Sequence, residues 1–513
     1  MSPQSAMSLK LVRSKLTLQH LWPFALLAGV FILVSTFPIG SHDFWWHLKA
    51  GQEIVASGRI PSVDTLSHTM SGQPYANYAA YWLMEVAYYL LYSAGGPALV
   101  ILFHSLLVTG AYALLLRLCW LTSRNWRVAA ASTLFATALG ISNWNLRPQT
   151  IAFPAGVLVL TVIYEYRWRP RRWLLPIVPL TMLLWSNGHG SFVVGLAMLG
   201  IWLTDEAIGV VQSHFAEHGW ARLNRLWPPV LTLLASCVAC LINPRGARIA
   251  LYVKDLTGSP VIRGFVPEWA PPTFAEWYGA LFLIGLLFCA VVLALSPRRP
   301  SRFQIMMFVV FGILALRTTR SVVWFGIVMA PVLADHLAAL YAGWSATRPS
   351  RPPTRERPAL NYLFAAVLCV GVLLALPWFK HLLPLPVKKA GLISYETPVA
   401  ATQALLREHP PGLIFNEQGF GSYLIWAAQP DYPVFVDTRL ELYPLALWRD
   451  YADISAAREG WQAKLDRYDI RTLMLSVAEQ PALISAARAS SEWHVLYEDD
   501  TAVLFIRADA QGS

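Results

Sequence analysis

The sequence predicts an α-helical polytopic membrane protein of about 11 transmembrane helices, followed by a small extracytoplasmic α/β domain. Three observations carry this. First, the 513 residues are 56% hydrophobic and only 14% charged, against roughly 25% charged in soluble domains. Second, uncharged runs close to spanning length recur along the chain. Third, after about residue 384 the long runs stop, and short apolar strands alternate with amphipathic segments.

The runs read as spans are 21–40, 97–116, 128–146, 148–164, 173–188, 190–204, 226–244, 277–296, 303–316, 321–334 and 358–379. Several are short, so their helices are expected to extend into the flanking loops. The first lacks a small-residue cleavage motif and reads as a retained anchor. The twenty-two tryptophans fit a protein with many membrane interfaces. Cys119, Cys237, Cys240, Cys289 and Cys369 lie in or beside apolar runs and suggest no disulfide framework. The Cys237–Cys240 pair reads as helix packing.

Segment 78–96 carries Glu85, Tyr81, Trp82, Tyr88, Tyr89 and Tyr92, a composition suited to the interface rather than the hydrocarbon core. Charge supports that count. If 78–96 does not cross and the N-terminus (Lys10, Arg13, Lys15) is cytoplasmic, the arginine-rich loops all fall inside. These carry Arg117, Arg124 and Arg127; Arg167, Arg169, Arg171 and Arg172; Arg222 and Arg225; Arg298, Arg299 and Arg302; and Arg348, Arg351, Arg355 and Arg357. Such loops also explain the net charge of +10 without nucleic acid. The predicted location is a bacterial cytoplasmic (inner) membrane, with the C-terminal domain extracytoplasmic.

Five distinctive stretches then share the outer face: SHDFWWH (41–47), NWNLRPQ (143–149), WSNGHGS (185–191), INPRGAR (242–248) with VPEWAPP (266–272), and RTTRS (317–321). The span interiors hold almost no ionisable residue apart from His104, which counts against ion-coupled transport. In the C-terminal domain, GLIFNE (412–417), YPVFVD (432–437), IRTLMLS (470–476), WHVLYED (493–499) and AVLFIR (502–507) read as strands. The expected division is residues 1–384, transmembrane, with 41–96 as the first extracytoplasmic loop, and 385–513, an autonomous α/β domain.

Residues 43–57 read as a helix closed by Gly58, with Pro61 beyond. Asp43 and His47 share one of its faces, and the adjoining tryptophans read as interfacial anchors. Two readings stand for Asp43: a helix N-cap or a carboxylate presented at the bundle mouth.

The stretch from Asp43 through GRIPSVDTLSHTMSGQPYANYAAYWLMEVAYYLLYSAGG resembles the first extracytoplasmic loop of the GT-C glycosyltransferases. It is similar to the lipid-linked aminoarabinose transferases and protein O-mannosyltransferases. Phe44 stands where those families often carry a Glu after the aspartate. The chain also resembles a group of bacterial GT-C-like membrane proteins with D-x-W-W-H-L, R-P-Q, W-x-N-x-H-G-S-F and D-x-R-x-E-x-Y, here Asp43–Leu48, Arg147–Gln149, Trp185–Phe192 and Asp437–Tyr443.

The resemblance implies transfer of a sugar from a polyprenyl-phosphate donor to a glycan, lipid or protein acceptor on the outer face. An acceptor hydroxyl needs a base, and the leaving phosphate needs cations. Asp43 is the expected base, with Asp64 and Glu85 as secondary acids. Arg147, Arg245, Arg317 and Arg320 are the expected phosphate partners, although Arg147 and Arg317 also read as snorkelling to headgroups. His47, Asn187, His189 and Glu268 are expected at the substrate. His189 reads equally as a turn residue. His47, His68 and His189 with Asp43 or Asp64 offer metal ligands without a recognised spacing. Asp437 and Arg439 lie just past a predicted strand, where open sheets bind ligands; a solvated Arg439–Glu441 pair is the other reading. The alternative functions are an O-antigen ligase or polymerase-like enzyme, and a non-enzymatic glycan- or lipid-binding membrane protein.

Overall fold

The computed structural model describes residues 16–214, 224–249, 251, 267–347 and 357–508. Lys10, Arg13, Lys15, Arg222, Arg348, Arg351 and Arg355, on which the charge count partly rested, lie outside the described residues.

Each of the eleven apolar runs contains a helix. In chain order the helices are α1 (Leu18–Thr36), α2 (Phe44–Ser57), α3 (Trp82–Ser123), α4 (Trp126–Gly140), α5 (Ala152–Trp168), α6 (Ile177–Gly188), α7 (Val193–His214), α8 (Trp227–Leu241), α9 (Trp277–Leu295), α10 (Arg302–Arg317), α11 (Val322–Ala346) and α12 (Pro358–Leu374). Six helical stretches among the described residues are long and apolar enough to cross a membrane. α3, α7 and α11 extend well past their uncharged runs, whereas α6 stays short. The bundle is organised around α11. Its residues Val322–Ala334 are all buried, as in a helix enclosed on every side. Asn125 caps α4 through Arg127 and Val128, and Ser301 forms a capping box with Gln304 at α10.

Segment 78–96 joins the next apolar run within one helical stretch, α3. A 3₁₀ turn, Ala76–Ala80, leads into the first part of α3, and the helix breaks its geometry at Gly95 and Gly96, where φ of Gly96 is 62°. α2 lies against this first part. A Cβ at Gly51 would run into the carbonyl oxygen of Glu85, so the approach requires glycine there. α2 ends as expected, with Gly58 left-handed at φ 66°.

The C-terminal sheet has the order β1-β2-β4-β3, with β1 (Leu413–Asn416) parallel to β2 (Ile470–Ser476). β4 (Ala502–Arg507) runs antiparallel to both β2 and β3 (Trp493–Glu498). Four of the five expected strands are present. The fifth, 432–437, is not a strand of this sheet. Its backbone is satisfied elsewhere: Val434 bridges to Ser67, and the Asn416 side chain accepts from Phe435 N (2.8 Å) and donates to Val436 O (2.8 Å).

Residues 385–513 share their core with the first loop. Trp46, Ala50, Leu66, Tyr75 and Tyr78 of the first loop belong to the same buried core as Ile414, Phe415, Val434 and Leu473. The core is continuous across position 385.

Candidate active site at the mouth of the bundle

The polar stretches predicted to share one face, except 242–248, converge on a cavity of about 570 Å³. It is lined by Asp43, Arg147, His189, Glu268 and Arg320, with Gln418, Thr438 and Arg439 contributed by the C-terminal part. Each functional group comes from a short break between helices. Asp43 opens α2, Arg147 lies in extended backbone (φ −162°) before α5, and His189 separates α6 from α7. Arg320 sits in the turn between α10 and α11. Helix ends put backbone and side-chain polar groups where the apolar bundle stops.

Asp43 stands at the N-cap position but caps nothing, because its backbone is already helical (φ −48°, ψ −33°). Its carboxylate, 29% exposed, lies 3.6 Å from Arg147 Nη1. Arg147 Nη2 donates to Glu268 at 2.5 Å. Burial opposes both charges. For Arg147, the carboxylates of Glu268 and Asp43 outweigh it and hold the guanidinium above its ordinary range. Burial likewise pushes Glu268 up, but Arg147 and then Arg320 outweigh it and leave the carboxyl below its usual value. Arg147 Nε and Glu268 Oε2 remain buried without a partner, so the wall carries unmet hydrogen-bonding capacity. The Tyr88 hydroxyl, donating to Arg147 O at 2.9 Å, fixes the backbone.

Arg320 forms a second group. It donates to Gln149 Oε1 (3.0 Å), lies 3.2 Å from His189 Nε2, and rests over the Trp269 ring. His189 Nδ1 faces Ser191 Oγ at 2.8 Å. Burial, then the Arg320 charge, lowers the His189 pKa well below its ordinary value. Arg320 can only donate at Nε2, and the Ser191 backbone N–H also points at Nδ1, at 3.1 Å. The turn bearing Glu268 and Trp269 is tied to this group by Thr319 N donating to Ala270 O at 2.9 Å.

Other predicted residues serve the frame. His47 Nδ1 meets Glu85 Oε1 at 2.8 Å, with both side chains buried. Glu85 is neither solvated nor in the cavity wall. Burial, then Arg147, lowers the His47 pKa. Asp64, fully buried, accepts from Arg439 Nη1 (2.6 Å), Ser67 Oγ (2.6 Å) and Ser67 N (3.1 Å). Asp437 takes Arg439 Nε (2.9 Å) and Nη2 (2.6 Å) and the Tyr443 hydroxyl (2.5 Å). The Arg439–Glu441 pair is corrected: Glu441 instead accepts from Tyr75 (2.9 Å) and Asn77 (2.8 Å). Asn187 bonds Trp82, Leu183 and Ile242 and does not line the cavity. Arg245 donates to Asn77. Arg317 is exposed and does not line the cavity. Trp45 and Trp46 are buried among aromatic neighbours rather than anchored in lipid.

The predicted metal set is not assembled. Among the described residues no group of three or more His, Cys, Asp or Glu could hold an ion; His47 is engaged by Glu85, and Asp64 by Arg439. Sequence reasoning missed Gln418 and Thr438 in the wall, for which no local signal exists. It named Gln149 only within the R-P-Q motif, and it passed over Trp269, adjacent to Glu268.

No protein-family model matches the chain, and no curated protein matches it. Solved structures do. The archaeal oligosaccharyltransferase AglB from Archaeoglobus fulgidus, in complex with an inhibitory peptide and a dolichol-phosphate, aligns at TM-score 0.53 and 11% identity. That alignment covers 96% of this chain and 74% of AglB. ArnT from Cupriavidus metallidurans in the apo state aligns at TM-score 0.51 and 14% identity, over 94% of this chain and 96% of ArnT. The chain therefore shares the membrane fold of AglB and ArnT. At these identities the likeness is one of fold, and the chemistry rests on the side chains.

Proposed function

We propose that the protein is a membrane glycosyltransferase that moves a sugar from a polyprenyl-phosphate donor to an acceptor hydroxyl. The reaction takes place at the outer face of a bacterial cytoplasmic membrane. The observation that carries this is the pairing of a partly exposed carboxylate, Asp43, with the cations Arg147 and Arg320 in one cavity at the bundle mouth. The fold shared with AglB and ArnT supports it.

Asp43 takes the proton of the acceptor hydroxyl as its oxygen bonds to the anomeric carbon. The bond from that carbon to the phosphate oxygen breaks, and its electron pair leaves with the phosphate. Arg147 and Arg320 stabilise that charge in a site partly closed to water. His47, Glu85, Asp64, Asp437 and Arg439 are positioning residues in this scheme.

The test is transfer by purified, reconstituted protein offered a panel of undecaprenyl-phosphate sugars. Base catalysis contributes about 10²–10⁴-fold, so Asp43→Asn is expected to lower transfer by that order with thermal stability near wild type. Near-normal transfer by Asp43→Asn, with the donor that wild type uses, overturns the assignment.

A further inference from the structure

A second cavity, of about 510 Å³, lies at the opposite end of the bundle from the candidate active site. α5 connects the two: Gln149, just before it, lines the first cavity, and Tyr164, Arg167 and Trp168, near its other end, line the second. Four arginines line the second cavity, Arg124, Arg167, Arg298 and Arg299, against two carboxylates, Glu206 and Asp335.

The arginines are not equivalent. Arg167 is held by Asp205 (2.7 Å) and Glu206 (3.5 Å), and Arg298 by Asp335. Arg124 and Arg299 have no carboxylate partner among the described residues. Both are exposed. Arg124 closes α3 in a left-handed conformation (φ 53°) and rests over the Trp120 ring at 5.4 Å, which aims a cation at the rim rather than into solution. Tyr164 supplies an independent sign. It lines the same cavity, yet its buried hydroxyl has no hydrogen-bond partner. A buried, unpartnered donor in a wall that also presents two uncompensated guanidiniums calls for an acceptor-rich anion. Trp168, half-exposed on the same wall, adds an amphipathic ring suited to the headgroup level.

We propose that this cavity binds the phosphate of an anionic phospholipid headgroup from the leaflet at that end of the bundle. Arg124 and Arg299 grip the phosphate, and the Tyr164 hydroxyl donates to it. Basic pockets between membrane helices recognise such headgroups by the same chemistry. A soluble phosphate would satisfy the same groups, so the test separates the two sources.

Full-length protein is reconstituted in vesicles of equimolar phosphatidylglycerol and phosphatidylcholine and re-extracted in neutral detergent. The retained lipid is then identified by mass spectrometry. Wild type is expected to retain phosphatidylglycerol selectively. The Arg124→Gln/Arg299→Gln double variant is expected to lose that selectivity by about fivefold for each arginine removed. A second pair, Arg169→Gln/Arg171→Gln, is exposed outside the cavity and is expected to leave it unchanged. Equal retention by wild type and the cavity variant overturns the proposal, as does equal loss in both double variants, which marks general surface attraction. In a parallel arm, inorganic phosphate is titrated against thermal stability. Stabilisation of wild type by phosphate without selective lipid retention overturns the lipid assignment in favour of a soluble anion.

Discussion

Arg439 Nη1 and Asp64 Oδ1, 375 positions apart in the sequence, meet at 2.6 Å with both side chains fully buried. Through this contact the C-terminal part grips the first loop from inside their shared core. Asp437 takes the other face of the same guanidinium, and the Tyr78 hydroxyl accepts from Nη1 at 2.8 Å.

Removing the cation leaves two buried carboxylates uncompensated. Arg439→Met is expected to destabilise the protein by about 3–5 kcal/mol, the usual scale for breaking a buried pair from one side. Thermal or denaturant unfolding of the purified protein measures it. A change below about 1 kcal/mol would show that water reaches the cluster.

The shared core makes a second prediction. A fragment of residues 385–513 alone exposes the faces that Trp46, Leu66, Tyr75 and Tyr78 cover, and Arg439 loses Asp64. It is expected to lack cooperative unfolding and to bind dyes that report exposed apolar surface. Linking residues 41–81 to it is expected to restore part of the cooperativity. A cooperative transition in the bare fragment would contradict the shared-core account.

Stability should fall on acidification below about pH 6.5. Burial is the first cause that lowers the pKa values of His47, His68 and His189 in the folded chain. The unfolded chain then binds protons that the folded chain refuses. Each histidine destabilises by up to about 1.4 kcal/mol per pH unit between its unfolded and folded values. Glu268, held low, acts in the same sense at lower pH, because its stabilisation is lost as it protonates. Glu53, Glu85 and Glu417, each raised by burial, act in the opposite sense. Tm measured from pH 7 to pH 5 is expected to fall, and His189→Gln is expected to flatten that slope.

Arg320 and Arg317 are equivalent in the RTTR motif but not in the fold. Arg320 lines the cavity, and Arg317 lies exposed outside it. Arg320→Gln is expected to lower turnover by about 10²–10³-fold, the scale for a donor aimed at developing charge. Arg317→Gln is expected to stay near wild type in turnover and within about 0.5 kcal/mol in stability. Steady-state kinetics on the two variants, side by side, decide it.

The sequence by itself determined the helices, because apolar runs and glycine stops are local signals. It pointed to the gathering of Asp43, Arg147, His189, Glu268 and Arg320 on one face, because successive spans alternate in direction and bring every second link to the same end. It also determined the helix over 44–57 and its stop at Gly58. The tertiary structure alone decided which polar residues line the cavity and which are buried supports. Glu85 and Asp64 look catalytic in sequence, yet partners far along the chain engage them: His47 at 38 residues and Arg439 at 375. The lost strand at 432–437 has the same cause. Its pattern is that of a strand, but a side chain, Asn416, and a loop residue, Ser67, took its backbone pairing. Side-chain partners at long range leave no periodic trace. Burial and pairing were therefore settled only where the chain packs against itself.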